Sequence, residues 1–241
     1  MRGVLLVATI IVAGCGLIVA GCANYHTYRY RLTLEVETPA GIKTGTGVYE
    51  VSVSSGKPNL ISPGGTAGSV KGEAISIDLG PSGRLFALLT KGQGGEYQHS
   101  YVGSLPNIVT TRAGLVVDGR RPDPPRYGNL ASFTREVASL KGKIEVLFDE
   151  LPMLVRFADA TDPKSVELVL PANLEAAFGP GIYLRRAWIE MTSAHVTSGL
   201  EKHLPWITSL RTGLDGTIDH YPYGPKATLA NALSARNFIR R

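Results

Sequence analysis

Residues 28–37 alternate without exception between apolar and polar side chains, and this pattern constrains the fold more than any other feature of the sequence. A period of two over this length is typical of a β-strand with one buried and one solvated face. Residues 38–41, Thr-Pro-Ala-Gly, then predict a turn, because proline presets φ and glycine accepts a positive φ. A second strand over 48–53 completes a hairpin, with Gly45 and Gly47 indicating a bulge or bend where it begins.

The rest of the chain predicts more strands than helices. Strand patterns cover residues 75–79, 85–89, 153–157, 166–170 and 182–192, the last with a bulge near Arg185 and Arg186. Helices are expected over 130–140, 172–178, 199–203 and 227–235, and residues 92–104 and 118–129 read as exposed connections. The fold class predicted is therefore α+β and β-rich, a two-layer antiparallel sheet or sandwich with a few short helices.

The beginning of the chain has the features of an export signal. No charged residue lies between Arg2 and Arg29, and residues 4–12 form an apolar run of the length such a signal needs. Residues 17–22, Leu-Ile-Val-Ala-Gly-Cys, place small residues directly before Cys22. This segment resembles the lipobox of bacterial lipoproteins. The resemblance implies that the Cys22 thiol is diacylglycerylated, that residues 1–21 are removed, and that the new amino terminus is acylated.

Residues 12–15 repeat the small-residue pattern, so Cys15 is a competing acceptor. Cys22 is favoured because cutting before Cys15 would leave a very short signal and a mature chain that begins with another apolar stretch. Two alternatives remain open. Residues 3–23 are long enough to span roughly 30 Å of hydrocarbon as an uncut anchor helix, or the protein is secreted without a lipid. In each case Arg2 on the cytoplasmic side places the rest of the chain outside.

These features predict a signal over residues 1–21, a polar tether over 22–27 and a single exported domain over 28–241. No cysteine follows Cys22, so the domain holds no disulfide even in an oxidising compartment. The formal net charge of +5 is too small to favour a nucleic-acid partner. We expect a protein of the bacterial cell envelope, anchored to the membrane through its amino-terminal lipid, with the domain facing the periplasm.

Motifs for catalysis are missing from the sequence. It contains no Gly-x-Ser-x-Gly elbow, and the glycine-rich residues 64–71 lack the Gly-Lys-Ser/Thr ending of a phosphate loop. The five histidines include no pair at metal-ligand spacing, and the acidic group at 215–220 is interpreted as a turn. We therefore predict no catalytic residue, no metal site and no cofactor.

One set of basic side chains is a candidate for contacts outside the domain. Basic residues are suited to anionic partners such as phospholipid headgroups or acidic glycans, although a solvated surface is the simpler interpretation. They are Arg185, Arg186, Arg236, Arg240 and Arg241. Trp188, in a predicted strand, is expected in the core.

Residues 28–39, 162–166, 177–181 and 196–206 together resemble a family of proteobacterial proteins of unknown function that often begin with a membrane anchor. The resemblance implies a common fold and supplies no activity. Within it, the charged residues before Leu204-Pro205-Trp206 are the candidates for a partner contact: Glu201, Lys202, His203 and Trp206. The function predicted is a lipid-anchored, non-catalytic binding or structural module whose partner is an envelope protein or polymer. The alternatives are an envelope hydrolase with acidic catalytic residues far apart in sequence, and a phage or mobile-element surface protein.

Overall fold

The computed structural model describes residues 24–56, 65–93, 96–98, 100–115, 130–217 and 228–241. In these ranges the strands are β1 (Asn24–Glu37), β2 (Lys43–Gly56), β3 (Gly65–Glu73), β4 (Ile75–Asp78), β5 (Arg84–Ala87), β6 (Lys91–Gln93), β7 (Glu96–Gln98), β8 (Ile144–Val146), β9 (Leu154–Phe157), β10 (Val166–Val169), β11 (Tyr183–Met191) and β12 (Ile239–Arg240). The α-helices are α1 (Leu105–Arg112), α2 (Leu130–Ser139), α3 (Glu175–Phe178) and α4 (Leu229–Ala232).

The strands form two main antiparallel sheets. A six-stranded sheet has the order β12-β3-β2-β1-β11-β8, and a four-stranded sheet has the order β10-β9-β5-β4. Strands β6 and β7 pair separately. The fold is thus a β-rich α+β sandwich with a few short helices, which confirms the predicted class. None of the helices in the described ranges is long and apolar enough to cross a membrane.

The hairpin of β1 and β2 is the centre of the large sheet. Its register runs without a shift from Asn24 opposite Ser55 to Val36 opposite Lys43. The apolar side chains of the alternating pattern are all buried, as predicted: Tyr28, Tyr30, Leu32, Leu34 and Val36. However, β1 begins at Asn24, so four of the six residues predicted as a tether belong to the strand. Their main chain pairs with β2, and such pairing needs no apolar side chain.

Gly45 and Gly47 do not form a bulge, because the register of β2 is regular through both. A Cβ atom at Gly45 would lie 2.3 Å from Cγ1 of Ile77, and one at Gly47 would lie 2.7 Å from Cγ1 of Ile75. The glycines therefore let β4 of the small sheet approach the large sheet closely. The bulge predicted in β11 does occur: Glu35 pairs with Arg186 and Val36 with Leu184, which leaves Arg185 unpaired.

Both faces of the small sheet contribute buried side chains to a core. One face contributes Ile75, Ile77, Leu85, Ala87 and Leu154 to the core between the two sheets. The opposite face contributes Phe86, Val155 and Val166 to a second core, which residues 200–217 and 228–241 cover. Aromatic rings join this layer to the sheet: Phe157 contacts Phe86, Trp206 and Phe238 at centroid distances of 5.7, 5.5 and 6.0 Å. We call these two carboxy-terminal segments the covering layer.

Two further expectations were wrong. Residues 92–104 were predicted as an exposed connection, yet Tyr101 and Val102 are buried, and the Tyr101 hydroxyl donates to the carbonyl of Glu150 at 2.8 Å. Trp188 lies outside both cores, on the outer face of the large sheet, with Lys143 and Arg186 against its ring at 4.3 and 5.2 Å. The positive charges of Lys143 and Arg186 are attracted to the ring of Trp188, because the face of an indole ring is negative.

The helix predicted over 130–140 is confirmed as α2, and Val137 is buried, while the side chains of residues 130–133 lie outside the described part. The short helices were placed correctly but are shorter than predicted: α3 and α4 have four residues each, and the third is a 3-10 turn over Leu200–Lys202. The helix α3 ends at Gly179, whose φ of +99° does not continue a helix, and α4 ends at Leu233, which is extended.

Candidate functional site

A pocket of about 680 Å³ opens in the covering layer, between residues 207–212 and residues 234–241. This volume lies within the range of roughly 300 to 1,000 Å³ that is usual for ligand sites. The lining side chains are apolar, hydroxylic or guanidinium groups: Ile207, Thr208, Leu210, Arg211, Thr212, Ser234, Ala235, Arg236, Ile239 and Arg241. Among the residues that the structure describes, no aspartate or glutamate lines this pocket.

Main-chain hydrogen bonds fix both walls of the pocket. The amide of Ile207 donates to the carbonyl of Leu204 at 3.0 Å, and the amide of Leu210 donates to the carbonyl of Trp206 at 3.0 Å. The first wall, residues 207–212, is therefore held by tight turns. The second wall is tied to it by the bridge between Gly213 and Ser234 and by the Leu214 amide, which donates to Leu233 at 2.9 Å. Leu204 and Ile207 are buried, which anchors the first wall in the second core.

Three arginines line the pocket: Arg211, Arg236 and Arg241. The Nη1 atom of Arg211 donates to the carbonyls of Thr208 and Leu210 at 2.7 and 3.3 Å, which holds its guanidinium at the wall. Within the described ranges neither Arg211 nor Arg236 forms a salt bridge with a carboxylate. The pocket therefore carries an excess of positive charge.

Arg241 is the exception, since two carboxylates approach it. Its Nη2 atom lies 3.5 Å from Oε1 of Glu73 and 3.6 Å from Oε2 of Glu201. Glu73 is only 3% exposed, and its other oxygen accepts a hydrogen bond of 2.8 Å from the Leu200 amide. Both distances to Arg241 are longer than the 2.7–2.9 Å of a strong charge-assisted bond, so a second anion can still bind this guanidinium.

The four residues predicted as a partner contact lie in different environments. Trp206 packs against Phe157 and Phe238, and its Nε1 donates to the carbonyl of Ala160 at 2.9 Å, so its ring serves the second core. Glu201 and Lys202 are exposed, whereas His203 is half-buried. Partial burial, with a smaller contribution from Arg84, lowers the pKa of His203.

The basic residues that the sequence singled out also separate. Arg186 pairs with Glu35 at 2.6 Å and Arg185 with Glu37 at 3.5 Å, so both are neutralised across strands. Arg236 and Arg241 reach the pocket, while Arg240 is not among its lining residues and donates to the carbonyl of Arg236 at 3.1 Å. Ile207, Leu210 and Arg211 were missed, because the hydrophobic pattern weakens after residue 207.

A second cavity of about 580 Å³ lies beside β1, near Thr27 and Tyr28. Its Arg29 and Glu50 form a salt bridge of 2.7 Å with each other, so these two charges cancel. The arginine-lined pocket is thus the stronger candidate site.

The predicted lipid-attachment residue Cys22 and its competitor Cys15 lie outside the described residues. In the described ranges, no group of three or more histidine, cysteine or acidic side chains is arranged to hold a metal ion.

Together, the fold and the site define a β-rich sandwich with a basic, partly apolar pocket in its covering layer. No model of a known protein family, no curated protein and no solved structure matches this chain.

Proposed function

We propose that this chain is a lipid-anchored protein of the bacterial cell envelope whose β-rich domain binds an envelope component without catalysing a reaction. The observation that carries the binding part is the lining of the arginine pocket. Among the described residues it combines hydrogen-bond donors with aliphatic side chains and includes no histidine, cysteine, lysine, aspartate or glutamate. General acid–base catalysis needs a group that exchanges a proton near the working pH, and a guanidinium or an aliphatic hydroxyl does not.

The hydroxyl of Ser234 is the nearest approach to a nucleophile in this lining. It lies 3.2 Å from Oδ1 of Asn237, an amide oxygen that does not act as a base. Serine is a weak nucleophile unless a base activates it. Binding without turnover is therefore the activity that suits this pocket.

The anchoring part rests on the lipobox together with the start of β1. Cys22 precedes Asn24, the first residue of β1, by only two residues. Two residues span at most about 7 Å of extended chain. If Cys22 carries the lipid, the beginning of β1 lies close to the bilayer surface.

Site-specific photo-crosslinking in intact cells tests the binding part. A photoreactive residue replaces Thr208 in the full chain, since this exposed side chain lines the pocket. The matched control carries the same group at Ser69, which is exposed on β3. We expect a reproducible adduct at position 208 only, recovered with unchanged ligand mass, and less of it after Arg211→Gln. Identical adducts at both positions, or none at position 208, would contradict the proposal.

A further inference from the structure

The arginine pocket has two chemically different parts. Ile207 is buried, and Leu210 and Ile239 are half-buried, so aliphatic side chains form its floor. Arg211, Arg236 and Arg241 are exposed and line the same pocket. A purely ionic ligand would leave the floor in contact with water, and a purely apolar ligand would leave the guanidiniums without an anion.

We propose that this pocket binds an amphiphile that carries a phosphate group on a hydrocarbon chain. The inference rests on the proposed binding function and adds the class of the ligand. The phosphate lies among the guanidiniums, and the first carbons of the chain lie on the aliphatic floor. Two sources supply this chemistry: the headgroup of an anionic phospholipid, and a free phosphorylated amphiphile.

The number of arginines in the lining favours phosphate over a single carboxylate. A guanidinium offers a planar fork that binds phosphate or carboxylate oxygens through two parallel hydrogen bonds. One carboxylate has two oxygens and unit charge, which one or two arginines satisfy. A phosphate offers more acceptor oxygens and up to two charges, which suits three guanidiniums.

The donors needed for such binding are present. The contacts of Arg211 within the described ranges use Nη1 alone, which leaves Nε and Nη2 for a ligand. The same wall contributes the hydroxyl of Thr208, which can also donate to a phosphate oxygen, whereas the Thr212 hydroxyl already donates to the carbonyl of Gly213 at 2.9 Å. Glu73 and Glu201 orient Arg241 but stand 3.5 and 3.6 Å away, so they compete weakly for its protons.

The aliphatic side chains determine how much the hydrocarbon chain adds to the affinity of the ligand. Each methylene that leaves water contributes about 0.8 kcal/mol, or roughly a fourfold gain in affinity. Two methylenes laid on Ile207, Leu210 and Ile239 are enough for a gain of about tenfold over phosphate alone. We expect only the part of the hydrocarbon chain next to the phosphate to lie on these three side chains.

The test measures binding of three radiolabelled probes to the full chain in nanodiscs of phosphatidylcholine, with empty nanodiscs subtracted. The probes are inorganic phosphate, octyl phosphate and octyl phosphocholine. We expect octyl phosphate to bind at least about tenfold more tightly than either of the others. Arg211→Gln and Arg236→Gln should each weaken it by about tenfold, the loss expected for one charge-assisted contact. Ile239→Ser should lower affinity for octyl phosphate and leave that for inorganic phosphate unchanged.

Arg240→Gln is the matched control, because Arg240 is a neighbouring arginine that does not line the pocket. An equal loss in Arg240→Gln would show that net charge attracts the probe, and it would overturn the assignment to this pocket. Equal affinity for octyl phosphate and inorganic phosphate would overturn the apolar half of the proposal.

A second arm separates the two sources of phosphate. Nanodiscs containing photoreactive phosphatidylglycerol should give adducts in residues 207–212 and 234–241 if the bilayer headgroup is the ligand, and octyl phosphate should compete. If octyl phosphate binds but photoreactive phosphatidylglycerol gives no adducts, the ligand is a free amphiphile instead. An adduct at position 208 in cells, with no binding of any probe, would leave the binding function standing and overturn this ligand class.

Discussion

The carboxylate of Glu73 accepts a hydrogen bond of 2.8 Å from the main-chain amide of Leu200, although Glu73 is only 3% exposed. This bond joins the end of β3 in the large sheet to the first turn of the covering layer. The same carboxylate approaches Arg241, which lines the pocket. Glu73 thus couples the stability of the sandwich to the geometry of the candidate site.

Replacing Glu73 by alanine should therefore destabilise the protein. The Leu200 amide would lose a charged acceptor in a buried position, a change that costs about 2 to 3 kcal/mol. Chemical denaturation of the full chain measures this loss. Glu201→Ala is the control, since Glu201 approaches the same Arg241 but is exposed, and such pairs contribute less than about 1 kcal/mol. Equal effects of the two substitutions would contradict this role of Glu73.

The contact between the two sheets should be sensitive to Gly45. The Cβ atom of alanine at this position would lie 2.3 Å from Ile77, so β4 must move or Ile77 must leave its rotamer. Overpacking of this kind costs about 1 to 3 kcal/mol. Gly68→Ala on β3 is a matched control, because an added Cβ there meets no heavy atom within 4 Å. Unchanged midpoints of unfolding for both variants would mean that the sheets are farther apart than described.

Trp206 should prove to be a packing residue. Trp206→Ala removes the ring contacts with Phe157 and Phe238 and the hydrogen bond to Ala160, and we expect a loss of about 3 kcal/mol in stability. Lys202→Ala is the control, because Lys202 belongs to the same predicted partner contact but is exposed, and it should change stability by less than about 0.5 kcal/mol. A Trp206→Ala variant with unaltered stability and a lost partner would instead support a direct contact.

The pKa of His203 predicts a small dependence of stability on pH. Burial lowers this pKa below its ordinary value of 6.5, so the folded state favours the neutral imidazole. The contribution of His203 is present above pH 6.5 and is lost as the pH falls through the lowered pKa. His203→Gln should flatten the difference in melting temperature between pH 7 and pH 5. If the melting temperature of His203→Gln falls more steeply between pH 7 and pH 5 than that of the unaltered protein, the pKa of His203 is not lowered by folding.

Local patterns predicted much of the fold. Alternation in residues 28–37 fixes which face of β1 is buried, and parity across Arg185 and Arg186 located the bulge in β11, because both depend on neighbours in the chain. Gly45 and Gly47 were misread because their partners, Ile77 and Ile75, are distant in sequence. The covering layer over the small sheet could not be inferred either, since it has little regular structure and gives weak periodicity.

The candidate site was predicted only in part. Arg236 and Arg241 stood out as a basic group, but nothing in the sequence placed Arg211 beside them or a floor of Ile207, Leu210 and Ile239 beneath them. That arrangement depends on long-range contacts such as the Gly213–Ser234 bridge. The sequence grouped Trp206 with its charged neighbours as one partner contact. In the structure the Trp206 ring packs against the second core, whereas Glu201 and Lys202 are exposed.

Lipid attachment at Cys22 is the central claim, and labelling with palmitate tests it most directly. Cells producing the full chain, Cys22→Ala or Cys15→Ala are labelled and then separated into membrane and soluble fractions. The account predicts that the unaltered chain and Cys15→Ala incorporate palmitate and fractionate with membranes, whereas Cys22→Ala loses the label. A Cys22→Ala protein that still incorporates palmitate and stays with the membrane would contradict it.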